Sequence, residues 1–421
     1  MNCSLTVINT NTNITSVEPI LELFKGKTYS YLIKLFSNDC IEQFGTHIFS
    51  IKKSFSRTLT NILASWIFSL YIDYDFMDDY FLPTNYENTI SLEIMLKDMC
   101  KYDITITNVD VKINKILTNL KANYKTNLIL FNDYMVSSIY LNNKDNYKIK
   151  KFIVRLKKNN MIDVSETTFY KFEIKVNFVI KDKRLQNILN NILIPIKIYE
   201  KLSSIYSGPK EMIDPYIWAI LFRYQLLGSN NHQLAVSSGI MMKLHEDYKL
   251  NFECFASAIN NTFNNFCSIY YDLERYFGSN GSFFNIAPKS GTFGFNPPYQ
   301  KEIIEIGVKK LFTFLEQTND FLQFIITIPV WDLEGRTIMK DQYNNELEKQ
   351  NIDYGDFPII KEIKESPFFR GLRMIPKEKF TYIDHNFELY KNKTIQNTYV
   401  IILSNKECDM TKLNEYDFEK V

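Results

Sequence analysis

The stretch that decides the fold is residues 291–304, GTFGFNPPYQKEII. It begins as an apolar run, reaches two consecutive prolines and continues into a segment whose apolar residues recur at helical spacing. A second continuous apolar run, residues 321–331 (FLQFIITIPVW), follows that helix. Short apolar strands that alternate with helices are typical of a mostly parallel sheet. This part of the chain is therefore predicted to form an α/β domain.

Composition limits the classes of function. The chain has 421 residues, of which 45% are hydrophobic and 15% aromatic, so it can form a large core and two domains are expected. Lys and Arg number 49 and Asp and Glu 48, a net charge of +1, so any nucleic-acid site must be a local patch. None of the six cysteines form a C-x-x-C pair and there are four histidines, so no metal site is expected.

No targeting or membrane segment is predicted. Residues 1–13 lack the basic region and apolar core of a signal peptide. Residues 62–72 (ILASWIFSLYI) are too few to span a bilayer and are interpreted as a core helix. We therefore expect an intracellular protein with reduced thiols and no membrane partner.

The pattern changes near Pro195, where we place a domain boundary. Residues 50–72 have helical spacing, whereas residues 151–158 (KFIVRLKK) and 171–181 (KFEIKVNFVIK) alternate with period two as half-buried antiparallel strands. A helix follows them and Pro195 interrupts it. The prediction is a mixed, mainly helical domain over residues 1–195, a candidate for RNA or cap binding, and an α/β domain over residues 196–421.

Asn296, Pro297, Pro298 and Tyr299 carry the clearest chemical signal. Ligands of open α/β sheets bind at the carboxyl ends of strands, where this tetrapeptide is expected. The prolines lock two φ angles, which leaves the Asn296 side chain and the Pro297 carbonyl as a rigid pair of acceptors. Such a pair suits the exocyclic amine of a nucleobase, and Tyr299 can stack on the base. The alternative is that Asn-Pro-Pro is only a turn after a strand.

A second candidate site begins at Glu253. Glu253 ends an apolar run that precedes a predicted helix, and Asp272 follows it by 19 positions. An acidic residue about 20 positions after the first strand of a dinucleotide-binding fold binds ribose hydroxyls. The glycine-rich loop of such folds is missing, so two solvated carboxylates are the alternative.

Four ordered motifs resemble one known family. Together they look like the phosphorylated-CTD-interacting factor family, whose members are cap-specific adenosine N6-methyltransferases, and the resemblance covers roughly residues 195–405. The motifs are ECFASAINNTFNNFCSIYYD (253–272), YFGSNGSFF (276–284), GFNPPYQKEII (294–304) and FIITIPVWD (324–332).

The resemblance implies a Rossmann-like class I methyltransferase domain packed on a helical domain. S-adenosylmethionine would donate the methyl group, and the target would be the N6 amine of the first transcribed adenosine beside a capped 5′ end. The four residues from Asn296 to Tyr299 match the family's catalytic Asn-Pro-Pro-Phe motif, with Tyr299 in place of Phe. The donor-side strand matches at Glu253, Phe255, Ala256 and Ser257, while Ala258 replaces a usual proline.

Three further residues are candidates on the substrate side. Trp331 matches the tryptophan of the family's Ile-Pro-Glu-Trp motif, although Val330 replaces the glutamate, and core packing is its alternative role. Arg370, in SPFFRG, and Arg57, in SFSRTL, are candidates for phosphate contacts, with a solvated surface arginine as the alternative for both.

The sequence further suggests that a WW module, the family's usual partner for the phosphorylated polymerase tail, is lacking. Tryptophan occurs only at Trp66, Trp218 and Trp331, all in core-like contexts, which argues against binding to that tail. The family resemblance implies a nuclear location, with a cytoplasmic or viral setting as alternatives.

Other functions remain open at this stage. The same motif serves a DNA or internal-RNA adenine methyltransferase, and it also occurs in glutamine-modifying methyltransferases, which the other motifs disfavour. A catalytically idle module that binds RNA or supports another protein belongs to a different class, and the intact motif argues against it.

Overall fold

The chain forms two compact units. The computed structural model describes residues 3–7, 18–45, 55–72, 81–82, 86–100, 106–138, 147–157, 166–228, 233–331, 335–340, 346–352, 357–385, 391–393, 397–409 and 411–415. Unit 1 comprises Met1–Thr10, Asn231–Ile269 and Ser279–Val421, and unit 2 comprises Asn11–Asn230 and Tyr270–Gly278. The sequence suggested a boundary at 195, whereas the units meet in the chain near residue 230.

Helices and strands both contribute to the chain. The helices are α1 (Pro19–Phe44), α2 (Phe55–Leu70), α3 (Ile90–Cys100), α4 (Val109–Ser138), α5 (Lys183–Asn190), α6 (Ile196–Ile205), α7 (Ile213–Leu227), α8 (Ser238–Tyr248), α9 (Tyr271–Glu274), α10 (Lys301–Glu316), α11 (Ile359–Glu365) and α12 (Thr411–Glu415). The strands are β1 (Ser4–Val7), β2 (Tyr147–Lys157), β3 (Glu166–Val176), β4 (Leu193–Pro195), β5 (Leu234–Val236), β6 (Leu250–Glu253), β7 (Ile286–Phe295), β8 (Leu322–Pro329), β9 (Gly335–Lys340), β10 (Glu346–Ile352), β11 (Phe369–Ile375), β12 (Tyr382–Asp384), β13 (Lys391–Lys393) and β14 (Thr398–Ser404).

Unit 1 is built on a six-stranded mixed sheet. Strands β6, β7 and β8 are neighbours and run parallel, while β14 pairs antiparallel with β8 and β11 antiparallel with β14. Isolated parallel bridges join Glu253 to Phe266 and Phe266 to Ser279, on the side of β6 away from β7. The α/β class expected from the sequence is confirmed, and the sheet is mixed because the last strands return antiparallel.

Gly291 divides the long strand β7 into two parts. Strand β1 pairs with residues 286–290, and β6 pairs with residues 292–294. At Gly291 φ is 108°, which is outside the range that other residues adopt without strain, and an added Cβ would lie 2.8 Å from Cys3 Sγ. The glycine therefore allows one strand to exchange an antiparallel partner for a parallel one.

The core of unit 1 lies between α10 and the sheet. The expected apolar face of α10 is buried, with Ile304, Val308 and Leu311 at 0% exposure. Strand β8 is buried along its whole length, which explains its continuous apolar run. Gly307 lets α10 approach Phe295, the residue before Asn296, because an added Cβ would lie 2.5 Å from the Phe295 ring.

Unit 2 is mainly helical and contains a small antiparallel sheet. Helix α7 packs on α1, α2 and α5, which explains why residues 196–230 join this unit rather than unit 1. The predicted alternating segments overlap β2 and β3, which pair over their full length, although β3 ends at Val176 and residues 177–181 are not part of it. Strand β4 pairs with β3. None of the helices in the described ranges is long and apolar enough to cross a membrane.

A buried ion-pair network holds unit 2 together. The Arg223 guanidinium, 1% exposed, donates two hydrogen bonds of 2.7 Å to the Glu22 carboxylate. It also donates bonds of 2.9 and 2.6 Å to the Asp272 carboxylate. The Tyr270 ring lies 5.2 Å from the Arg223 guanidinium carbon. The network joins α1, α7 and α9 through one arginine, since its planar fork can serve two carboxylates.

Candidate active site

A pocket opens at the carboxyl ends of the three parallel strands of unit 1. It contains about 430 Å³ of empty space, part of which is open to solvent. Its lining comes from β5, α8, β6, β7, β8 and the loop after β6, namely Leu234, Ala235, Val236, Met241, Leu244, Leu250, Glu253, Phe255, Asn260, Gly294, Phe295, Asn296, Ile325 and Thr327.

Asn296 and Pro297 carry acceptors without partners, and Asn296 lines this pocket. Asn296 follows the last residue of β7, is half-buried and lines the pocket. Among the described residues, neither its side chain nor the Pro297 carbonyl has a hydrogen-bond partner. The Pro298 carbonyl, in contrast, accepts a bond of 2.7 Å from the Gln300 amide. The first two residues of the motif can therefore receive an external donor, while the third closes a turn into α10.

Tyr299 is held by aromatic neighbours on two sides. Its ring meets the Tyr382 ring edge-to-face at 6.2 Å and 89°, and the Trp331 ring at 6.3 Å and 78°. The Tyr299 hydroxyl is hydrogen-bonded to the Tyr382 hydroxyl, which lies 3.2 Å from Thr398 Oγ1. Burial raises the pKa of Tyr299, and it raises the pKa of Tyr382 to about 12. Both phenols therefore stay neutral at physiological pH, with the hydroxyl of Tyr299 directed into the interior.

The Glu253 carboxylate is fixed by the loop that follows β6. Its Oε2 accepts bonds of 2.7 and 2.9 Å from the backbone N–H groups of Thr262 and Phe263. The Glu253 carbonyl accepts a bond of 2.8 Å from the Cys267 amide. Glu253 is 8% exposed and lines the pocket, so its carboxylate is a pre-oriented acceptor rather than a solvated charge.

Three more residues of this loop were predicted to bind the donor. Phe255 is half-buried in a cluster with Phe283 and Phe295, at ring distances of 5.1 and 5.3 Å, and lines the pocket. The Ala256 amide donates to the Cys267 carbonyl at 2.9 Å. Ser257 is 2% exposed, and its hydroxyl donates to Gln233 Oε1 at 2.8 Å. The side chain of Ser257 thus shapes the loop, whereas Phe255 faces the pocket.

Asp272 belongs to a different unit from the other donor-side candidates. It belongs to unit 2 and its carboxylate accepts hydrogen bonds from the Arg223 guanidinium, whereas Glu253 belongs to unit 1. Asp272 follows Glu253 by the expected 19 positions, but residues Tyr270–Gly278 belong to unit 2. A ribose contact at Asp272 stays a prediction, and the ion pair supplies a structural role for the same carboxylate.

The substrate-side candidates are dispersed. Trp331 lies beside Tyr299 and also meets the Phe357 ring at 5.4 Å, so it both packs and borders the motif. The Arg370 guanidinium donates to the backbone carbonyls of Lys406 and Pro367, each at 2.8 Å, and to that of Phe369 at 3.0 Å. Those bonds hold the guanidinium against the backbone of its own segment and of the segment around Lys406. Arg57 lies on α2, and its side chain falls outside the described residues.

Sequence reasoning missed three polar residues of the site. Asn260 Oδ1 accepts from the Ser257 amide at 2.7 Å, while its amide nitrogen has no partner among the described residues. Thr327, on β8, lines the pocket at 5% exposure. Tyr382 reaches Tyr299 from a strand 83 positions along the chain. Of the three, Thr327 could have been found, because it interrupts the apolar run of β8 near its carboxyl end.

The residues present suit an adenosine-containing sulfonium donor. The pocket combines an aromatic side chain (Phe255), an oriented carboxylate (Glu253), the amide nitrogen of Asn260 and the amide group of Asn296. The Glu253 carboxylate can accept hydrogen bonds from hydroxyl and amino groups, and the Asn260 amide nitrogen can donate one. The Phe255 ring offers a face to a base. No group of three or more His, Cys, Asp or Glu residues that could hold a metal is found in the described part of the chain.

Comparison with known proteins relates this chain to methyltransferases. The chain is similar to the human mRNA (2'-O-methyladenosine-N(6)-)-methyltransferase, with 28% identity over 216 residues, which is 49% of this chain and 28% of that protein. The mouse protein of the same name is 28% identical over 202 residues, 45% of this chain and 26% of the relative. The similarity thus spans little more than a quarter of the length of these curated relatives.

A family model also matches, and it corrects one expectation. The model described as the phosphorylated CTD interacting factor 1 WW domain matches residues 196–354. The prediction that the chain lacks a WW module is therefore wrong, and the argument against binding to the polymerase tail falls with it. That prediction relied on the core-like surroundings of the tryptophans. Trp218 and Trp331 both lie within the matched segment, so their core-like sequence contexts were no argument against the match.

Proposed function

We propose that unit 1 is a Rossmann-like class I methyltransferase domain. In this proposal it transfers a methyl group from S-adenosylmethionine to N6 of the adenosine at the capped 5′ end of an mRNA. The printed names of the human and mouse relatives support the reaction and the substrate. The pocket at the carboxyl ends of the parallel strands supports the place of the reaction.

The order of the parallel strands supports the fold class. Taken along the sheet, the segments run from Ser279 through Phe266 to β6, and then to β7 and β8. In chain order this is 3-2-1-4-5, the order of the dinucleotide-binding fold. The order reverses between β6 and β7, and ligands of such sheets bind at that reversal. Glu253 is the last residue of β6 and Asn296 directly follows β7, so the two residues lie on either side of this reversal.

One observation carries the proposal. Asn296, the first residue of the Asn-Pro-Pro-Tyr motif, and Glu253, at the end of β6, line the same pocket. A donor-side carboxylate and a motif that accepts an amine are thus placed at one opening, although 43 positions of chain separate them. A turn that only ended a strand would not need two unpartnered acceptors beside a pocket.

The motif's own groups explain how an amine could react. The lone pair of the adenine N6 amine is delocalised into the ring, so the amine is a weak nucleophile. In the proposed complex, Asn296 Oδ1 and the Pro297 carbonyl each accept one N–H of the amine, which favours a tetrahedral nitrogen with a directed lone pair. S-adenosylmethionine supplies a methyl group on a positively charged sulfur. The nitrogen forms its bond to carbon as the sulfur keeps the electron pair, and the nitrogen then loses one proton to water.

Other residues of the site take supporting roles in the proposal. Glu253, Phe255, Ala256 and Ser257 form the donor side, with Asn260 added by the structure. Tyr299 and Trp331 border the base. Arg370 and Arg57 remain predicted phosphate contacts, and the N-terminal domain remains the predicted RNA-binding region. The predicted intracellular location suits an RNA substrate.

The test is methyl transfer from labelled S-adenosylmethionine to three short oligonucleotides. They are an RNA with a capped 5′ adenosine, the same RNA without the cap, and a DNA of the same sequence. The proposal expects labelling of the capped RNA well above the other two, with label released as N6-methyladenosine after digestion. Equal labelling of all three would contradict cap recognition and favour a general adenine methyltransferase.

A catalytically idle RNA-binding module is the alternative from another class. The hydrogen bonds from Arg223 to Asp272 favour this alternative, because the carboxylate that was predicted to bind the donor's ribose is already paired with an arginine. Thermal unfolding with and without donor separates the two, because a ligand that binds only the native state raises its apparent stability. No shift at saturating donor, together with no labelling of any oligonucleotide, would support the idle module.

A further inference from the structure

One face of the β2–β3 hairpin in unit 2 is strongly basic. Directly opposite residues of an antiparallel pair share a face, as do alternate residues along each strand. The register pairs Lys148 with Lys175, Lys150 with Glu173, and Phe152 with Lys171. We call the surface formed by Lys148, Lys150, Phe152, Lys171 and Lys175 the basic face. It carries four lysines and one carboxylate, Glu173, in a chain whose net charge is +1.

The lysines of the basic face are available to a partner. Lys148, Lys150 and Lys175 are exposed, and none of them has an ion-pair partner among the residues that the structure describes. Lys171 lies 3.7 Å from Glu173, and its side chain is 26% exposed. Four lysines therefore share one carboxylate, Glu173, which leaves a net positive charge on a surface two strands wide.

Folding alone does not favour this arrangement. Lys148 and Lys175 are directly opposite each other, and like charges in that position destabilise an antiparallel pair. An isolated lysine on an edge strand protects against aggregation, but an opposed pair on two hydrogen-bonded strands does not serve that purpose. An anionic partner would remove the repulsion.

An exposed aromatic ring lies among these lysines. The register places Phe152 opposite Lys171, and its side chain is 37% exposed. The Lys171 ammonium lies 5.8 Å from the centre of the Phe152 ring. Basic side chains around an exposed aromatic ring are the combination that binds single-stranded nucleic acid, since phosphates meet the cations and a base stacks on the ring.

The opposite face of the hairpin is already in use. Lys151 and Phe172, which are paired, both point to Tyr199 of α6. The Lys151 ammonium also donates a hydrogen bond of 2.9 Å to Asp214 of α7. That face packs against helices of the same unit, so the basic face is the one turned outward at this end of the hairpin.

We propose that the basic face binds a single strand of nucleic acid, and that in the cell this strand is RNA. The lysines contact phosphates and Phe152 stacks on a base. The inference deepens the predicted RNA-binding role of the N-terminal domain and, in naming RNA, rests on the proposed function; it adds the surface that holds the strand and binding without sequence readout. It makes the hairpin a holding surface for RNA that is independent of the chemistry in unit 1.

Binding of the full chain to a fluorescein-labelled single-stranded RNA of fifteen nucleotides tests the proposal. Fluorescence anisotropy is measured without methyl donor at several salt concentrations. The triple variant Lys148→Gln, Lys150→Gln, Lys175→Gln removes three phosphate contacts, so the slope of log K against log salt falls by about 2. The matched control is Lys34→Gln, Lys125→Gln, Lys197→Gln, which removes the same charge from exposed lysines elsewhere in unit 2 and leaves the slope within about 0.5.

The aromatic contact has its own pair of variants. Phe152→Ala weakens RNA binding about tenfold with the salt slope unchanged, because stacking is lost and no charge is removed. Ile153→Ala, an equally conservative change at a 59% exposed residue on the opposite face, leaves binding unchanged. Circular dichroism of each variant confirms that the fold is retained.

The competing outcomes are distinct. Failure to bind RNA, or equal weakening by the basic-face and control triples, overturns the proposal. A DNA strand of the same sequence serves as a second ligand. If it binds equally well and responds equally to the variants, the basic face is confirmed as a binding surface, but for single strands in general. Tighter binding of duplex RNA than of the single strand overturns the stacking role. Because no donor is present, loss of methyl transfer would not affect any of these results.

Discussion

The pair of hydroxyls on Tyr299 and Tyr382 gives the sharpest test of how the candidate site is held. Tyr382 is 1% exposed, and its hydroxyl lies between the Tyr299 hydroxyl and Thr398 Oγ1. Removing the Tyr382 hydroxyl leaves the Tyr299 hydroxyl without this partner at an interior position. A buried polar group that loses its hydrogen bond costs about 1–3 kcal/mol.

The reverse change is expected to be milder. In Tyr299→Phe the Tyr382 hydroxyl keeps Thr398 Oγ1 at 3.2 Å, so the loss is that of one ordinary hydrogen bond, about 0.5–1.5 kcal/mol. The double change Tyr299→Phe, Tyr382→Phe replaces both partners by apolar groups of the same shape, which is nearly neutral. The double variant should therefore be more stable than Tyr382→Phe alone, with a coupling of about 1 kcal/mol or more.

Chemical denaturation of the four proteins measures this cycle, and initial rates of methyl transfer measure its effect on the motif. Tyr382→Phe should lower kcat about tenfold with a smaller change in KM, because a displaced Tyr299 misplaces the base rather than weakening the donor site. The double variant should recover most of that rate. Additive free energies, or a double variant as slow as Tyr382→Phe, would show that the two hydroxyls do not act as a unit.

Four further outcomes are expected. Asn296→Ala should lower kcat by roughly 100-fold or more while donor affinity, followed by calorimetry, changes no more than a few fold; an unchanged rate would exclude Asn296 from the reaction. Arg223→Met should lower the free energy of unfolding by about 3–5 kcal/mol in a denaturant titration, because it leaves two carboxylates without their shared cation; a neutral result would contradict the role of the network. Asp272→Asn should lower stability in the same assay; unchanged donor affinity would exclude Asp272 from the donor site, whereas a large loss of donor affinity with normal stability would support the predicted ribose contact. The free energy of unfolding should fall as pH rises from about 10 towards 12. In this interval the phenol of Tyr382 loses its proton in the unfolded chain, whereas burial raises its pKa to about 12 in the folded protein. The Tyr299→Phe, Tyr382→Phe double variant should lose less stability over the same interval.

The local elements follow from the sequence wherever one face is clearly apolar. The segment from Gly291 to Ile304 predicts a strand, a turn and a helix, and β7 and α10 have that order and nearly those bounds. The continuous apolar run of β8 predicts a strand buried on both sides, which the structure confirms. These predictions succeed because the hydrophobic pattern and the proline positions are local properties of the chain.

The sequence did not predict which strands and segments pair with one another. Alternation predicted half-buried strands, but it does not state which face is covered, and the register with β3 set Phe152 among lysines. The spacing from Glu253 to Asp272 indicated a common site, yet the segment from Tyr270 to Gly278 belongs to unit 2. Chain distance is a poor measure of position when a short segment joins another core.

For the candidate site, the amino-acid sequence alone supplies the motif and predicts its chemistry. The residue types from Asn296 to Tyr299, and their place after an apolar run, are enough to indicate a rigid pair of acceptors beside an aromatic ring. The tertiary structure decided which groups meet them. Glu253 reaches the same pocket through the parallel pairing of β6 with β7, and Tyr382 reaches Tyr299 through the pairing of β12 with β5. Such contacts join residues tens of positions apart, and only the packing of the folded chain selects them.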